Sequence, residues 1–168
     1  MMKKQLYLDI VNHLKTIKDE NGIQLFQHFD LWNRQVDFLE EETPFNLPAV
    51  FIEFLPHSWQ TLGNRKQCAD LTIRLHIVTP WFSDTADYVP DEFQQQAVCY
   101  LDTIDKVVAA MQNFAPSNSN QWMRTQSIPN HDHGRYVDSI EEYICNIVDT
   151  SAVQHKQQVS LSPVILKE

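Results

Sequence analysis

The sequence predicts an α+β domain: one mostly antiparallel sheet with a long β-hairpin, and two main helices packed on one face. Three observations carry this. Apolar residues recur at helical spacing near the N-terminus and again over residues 93–114. Between those segments, "AVFIEF" from Ala49 and "LTIRLHIV" from Leu71 alternate with period two, as half-buried strands do. After the second helix, "QWMRTQSI" and "YVDSIEEYICNIVDT" read as further strands, the latter for its β-branched content. Helices and strands in that order give a sheet with a helical layer on one side.

The first helix is drawn by Leu6, Ile10, Leu14 and Ile17, with Tyr7 and Val11 beside them, and "ENG" at 20–22 offers a glycine stop. In "IQLFQHFDLW" Leu25 and Phe29 suggest a strand. The acidic "LEEETPFNLP" that follows is loop, because three consecutive glutamates cannot be buried together and Pro44 and Pro48 bracket it.

The hairpin then begins. Val50, Ile52 and Phe54 share one face of the first run. Leu71, Ile73, Leu75 and Ile77 share one face of the second, with Thr72, Arg74 and His76 opposite. Between them "QTLGNRKQ" carries Gly63 and Asn64, both suited to positive φ in a turn. Asp91 and Glu92 open the second helix, where the dipole favours negative charge. Phe93, Ala97, Leu101, Ile104, Val108, Met111 and Phe114 follow as one continuous stripe, predicted to lie buried against the sheet. "APSNSN" ends it.

With 168 residues, 43% of them hydrophobic, the chain suits one core and is short for two. The reading is a domain over residues 1–152 and a C-terminal tail or arm over 153–168. No apolar run approaches the roughly 20 residues that cross a bilayer, and "MMKKQLYLDI" lacks the apolar centre of a signal peptide, so no membrane partner and a cytosolic origin are expected. Twenty-two acidic residues against 13 basic give a net charge of −9. Direct nucleic-acid binding, which draws on cations neutralising phosphates, is disfavoured. Arg65 and Lys66, in "NRK", could still meet an acidic partner. Cys68, Cys99 and Cys145 are odd in number and widely spaced, which points to reduced, mostly buried thiols acting as small hydrophobes.

The strongest hint of chemistry is "SIPNHDHGRY" at 127–136. If extended, His131 and His133 would project to one side, about 6.5 to 7 Å apart, with Asp132 outside them. A catalytic zinc needs a third protein ligand and an open position, and no spacing supplies one. Pro129, Asn130, Asp132 and Gly134 are turn residues, so the expectation is a turn that holds no metal. Arg74 and His76 could form an anion-binding pair, but an exposed or interface-facing sheet surface is the expectation. Trp32, Trp59, Trp81 and Trp122 fall at element edges or loops, as core-edge or subunit-interface residues do. Gly22, Gly63 and Gly134 each serve a turn, none forms a phosphate loop, and no nucleophile has a base beside it. No enzyme activity and no cofactor are expected.

The succession of first helix, "LPAVFIEF", "DLTIRLHIVTPW", "DEFQQQAVCYLDTIDKVVAAMQNF" and "NHDHGRYVDSIEEYICNIVDTSA" resembles the tail-terminator and tail-completion (lambda minor tail protein U-like) family of long-tailed bacteriophages. The chain looks like a prophage-encoded member, with the similarity running over about residues 3–152 in element order and hydrophobic pattern. The resemblance implies a structural protein without catalytic residues. It would form a ring, a hexamer in that family, that caps the tail tube, stops its polymerisation and offers a joining surface to head-completion and neck proteins. Its partners would be itself, the tube protein and those neck proteins. Ring contacts are expected through the hairpin of residues 49–79, with Arg65, Lys66, Arg74 and His76, and through the C-terminal "VSLSPVILKE", whose Val164 and Ile165 have no evident place in the core. The competing reading is a small metal-binding module or metal-dependent enzyme centred on His131 and His133.

Overall fold

A computed structural model of the chain describes residues 2–36, 45–81, 86, 88–116, 119–130 and 136–153. Its elements, in order, are helix α1 (Met2–Leu14), strands β1 (His28–Leu31), β2 (Ala49–Phe54), β3 (Gln60–Gly63) and β4 (Lys66–Pro80), helix α2 (Asp91–Gln112), and strands β5 (Met123–Asn130) and β6 (Tyr136–Asp149). The six strands form one sheet in the order β1-β2-β4-β6-β5, with β3 pairing β4 off that path. Every pairing is antiparallel except β1 with β2. The predicted fold class is the one observed.

β4 and β6 are the spine, paired without interruption from Gln67↔Asp149 to Pro80↔Tyr136. Period two sends Leu71, Ile73, Leu75 and Ile77 of β4 to the helix side, where all four are fully buried with Val50 and Ile52 of β2 and Tyr143, Cys145 and Ile147 of β6. Leu6, Ile10, Val11 and Leu14 of α1, and Val107 and Met111 of α2, close this core from above. Each such aliphatic side chain stabilises the fold by roughly 1.5 to 3 kcal/mol. A smaller cluster of Val36, Phe45, Ala49, Phe51, Val78 and Tyr136 covers part of the opposite sheet face, with Trp32 and Leu47 packed on it. The Tyr136 hydroxyl donates to the Val36 carbonyl there.

Several expectations shift. α1 stops at Leu14, well before the predicted glycine, because the Thr16 hydroxyl donates to the His13 carbonyl and the Asp19 carboxylate takes the Asn21 and Ile23 amides into a turn. Gly22, at φ +77°, serves that turn. The first strand shrinks to β1, since Leu25 is spent on a bond from its amide to the Ile17 carbonyl. Residues 37–44, with the three glutamates, lie outside the described residues.

The largest correction concerns α2. Its first turn carries Asp91 and Glu92 as predicted, but the apolar stripe is buried only in part: Ala97 and Met111 are inside, Ile104, Val108 and Phe114 are half-buried, Phe93 is 48% and Leu101 47% exposed, and Val107, outside that stripe, is buried instead. Spacing marks which residues share a face, and the sheet beneath decides how much of that face is covered. Beyond Tyr143, the helix-side positions of β6 are Glu141, Ser139 and Val137, short or polar groups that add little to the core.

The last segment, read as strand from its β-branched content, is strand, with neighbours on both sides, β4 and β5. Among the described residues, no helix is long and apolar enough to cross a membrane.

Candidate functional site

One group of charged sheet residues gathers on the face away from the helices. Register places Glu53 of β2, Arg74 of β4 and Glu142 of β6 side by side, and Phe51, His76 and Ile140 in the next row. Arg74 Nε donates to Glu142 Oε2 at 3.1 Å, and its Nη1 lies 3.8 Å from Glu53 Oε2. His76 Nε2 is 3.5 Å from that same Glu53 oxygen, and its Nδ1 is 3.6 Å from Asp138 Oδ2. The Asp138 carboxylate, itself buried, also accepts from Asn130 Nδ2 at 3.2 Å.

Contrary to expectation, His76 is not an exposed part of this face. It is only 4% exposed, because the indole of Trp32 covers its ring. The arrangement also decides against an anion site. Three carboxylates, from Glu53, Asp138 and Glu142, surround two basic side chains, so an incoming anion meets charge already neutralised. Beyond Arg74 the face is open: Met123 is exposed, and Ile128, Ile140 and Ile144 are half-buried around Glu142.

On the helix side a second polar group is enclosed. Glu141 is buried, accepts from Ser127 Oγ at 2.6 Å and lies 3.5 Å from Arg124 Nη1. Next along β6, burial pushes the Tyr143 phenol well above its ordinary range, the Glu141 charge adds to that, and Arg124 opposes it. Burial likewise pushes the Cys145 thiol up to about 12, helped by the charge on Asp70. These protonated, inward-facing groups are poor nucleophiles. The three thiols part company here: Cys145 is buried as expected, Cys68 is intermediate, and Cys99, predicted to act as a small hydrophobe, sits exposed on α2.

Two open clefts flank the end of α2, one lined by Asp9, Asn12, His13 and Phe114, the other by Gln112, Asn113, Gln121, Trp122, Met123 and Arg124. Neither brings an acid, a base and a nucleophile together. Among the described residues, no group of three or more His, Cys, Asp or Glu is placed to hold a metal ion. His131, Asp132 and His133 lie outside the described residues, as do Val164 and Ile165.

Arg65 and Lys66 stand at the end of the β3–β4 hairpin, where residues 60–67 are all exposed. Gly63 pairs with Lys66, leaving Asn64 and Arg65 as a two-residue loop with φ of 47° and 60°. The sequence did reveal this turn. It did not reveal the exposed flank of α2, with Val98, Leu101, Asp102 and Asp105, because Leu101 read as core.

No family model matches the chain, and no curated protein matches it.

Proposed function

We propose that this chain is a structural assembly protein that closes into a ring on the end of a phage tail tube, stops the tube's polymerisation and presents the joining surface for head and neck proteins. The observation that carries an assembly role is the apolar surface that one copy leaves in water on α2: Val98 and Leu101 are both exposed, about one turn apart on the same flank. Exposed apolar groups that lie together, rather than singly, mark interaction surfaces. The two sheet edges also differ, a short β1 on one side and an eight-residue β5 on the other. Unlike edges suit a head-to-tail contact, which generates a ring when its rotation closes. The tube-capping role and a six-membered ring rest on the resemblance in element order. Such a protein works in the cytoplasm of the bacterial host during assembly and then in the virion tail, and it needs neither cofactor nor catalytic residue.

The test is reconstitution. The protein is added to polymerising tail-tube subunits, and the tubes are imaged and measured. Capped ends and a shortened, narrower length distribution support the reading. Tubes that grow to the same uncapped lengths with and without it refute it.

A further inference from the structure

We infer that copies of this chain join head to tail through the β3–β4 hairpin tip of one and the outer flank of α2 of the next. This deepens the ring reading above and rests on it for the biological setting, but the contact itself is argued from two surfaces of one molecule.

The tip is apolar and basic. Leu62 is 57% exposed, and Arg65 and Lys66 are exposed beside it. Its backbone is also unusual. A two-residue loop with both residues at positive φ is the turn that favours Asn followed by Gly. Asn64 fits the first place, but the second holds Arg65 at φ 60°, where a side chain is strained and glycine would not be. The hairpin thus carries a long cation at its apex against its own conformational preference. Strain kept at a surface apex points to a role outside the fold.

The flank of α2 is apolar and acidic. With 3.6 residues per turn, Val98, Leu101, Asp102 and Asp105 fall on one side of the helix, all of them exposed. Leu101 stands roughly 180° around the axis from Ala110. Ala110 is where α1 attaches: its carbonyl lies 2.9 Å from His13 Nε2, and the His13 ring stacks on Phe114. The flank therefore faces away from α1. α2 itself rests on β4, β5 and β6, so the flank looks out over the β5 side of the sheet. β3 pairs β4 on the side opposite β6, the β2 side. Tip and flank thus lie on opposite sides of one molecule and meet only between copies. Leu62 would pack on Val98 and Leu101 while Arg65 and Lys66 approach Asp102 and Asp105, which offsets the like-charge repulsion of copies carrying −9 each.

The experiment uses two charge-reversed proteins, R65E/K66E at the tip and D102K/D105K on the flank, with sedimentation velocity at low salt up to the solubility limit. Wild type is expected to self-associate, and each variant alone to raise the dissociation constant about tenfold or more. An equimolar mixture of the two restores association, because every tip then faces a flank of opposite sign. A variant that had merely unfolded would not be rescued by mixing. R65G adds an independent arm: it should melt at the same temperature as wild type or higher, yet associate more weakly. Wild type that stays monomeric throughout, either variant associating like wild type, or a mixture no better than its parts overturns the contact. If tubes are capped while the reversed proteins still associate normally, the contact is wrong and the tube-capping reading stands. If the mixture rescues association but tubes grow uncapped, the reverse holds.

Discussion

The indole of Trp32 lies flat on the imidazole of His76, ring centroids 3.6 Å apart and planes within 4°. The stack closes the buried end of a charged row and holds His76 between the Glu53 and Asp138 carboxylates. His76→Leu leaves the buried Asp138 carboxylate without its imidazole neighbour and is expected to cost about 1 to 3 kcal/mol. The double variant His76→Leu/Asp138→Leu should recover a good part of that, since it removes the stranded polar group as well. Urea denaturation of the parent, the single and the double variant measures both. A double variant worse than the sum of its parts would show that the pair does not interact as drawn.

The uneven burial of α2 predicts a gradient of sensitivity along one helix. Met111→Ala, in the fully buried part, should cost about 2 to 5 kcal/mol. Leu101→Ala, in the exposed part, should stay within about 0.5 kcal/mol of the parent when the chain is monomeric. Thermal melts at low concentration separate the two, and equal losses at both positions would mean that the N-terminal half is packed after all.

Thiol chemistry should follow burial. Cys99 is exposed and should react with a thiol reagent in the native protein, whereas Cys145 should react only on unfolding. Cys145 and Tyr143 both hold their protons more tightly in the folded chain. The stability this confers is whole below their unfolded values, near 9 for the thiol, and is lost as the pH climbs toward about 12. Melting temperatures should therefore fall above about pH 9, and Cys145→Ala should flatten that fall. An unchanged slope in that variant would exclude the thiol as a contributor.

Protein purified without a histidine tag should contain no stoichiometric zinc, manganese or iron by elemental analysis. Metal bound one-to-one, and lost when His131 and His133 are both changed to alanine, would overturn this and favour a metal-dependent role.

Much of the architecture could be read from spacing alone. Alternation in "LTIRLHIV" and the helical stripe from Phe93 are properties of local sequence, and β4 and α2 follow from them. The pairing of β1 parallel to β2 could not be read, because it depends on where a loop returns. Nor could the stack of Trp32 on His76, whose members stand far apart in sequence and meet only when the sheet forms. Leu101 misled for a related reason: a stripe shows which residues share a face of a helix and is silent on how far the layer below extends. At the hairpin tip, Gly63 and Asn64 announced the turn, but the strained place of Arg65 within it needed the register.

The unbroken pairing of β4 with β6 has a consequence for synthesis. β4 begins at Lys66 and its partner ends at Asp149, so the central strand waits for more than half of the described chain before its second neighbour exists. Until then a nascent chain holds Leu71, Ile73, Leu75 and Ile77 along an edge with unpaired backbone groups, the kind of surface that draws other strands. A chain interrupted anywhere before β6 should therefore be recovered as aggregate, and the cell has reason to guard this protein on the ribosome until its last strand arrives.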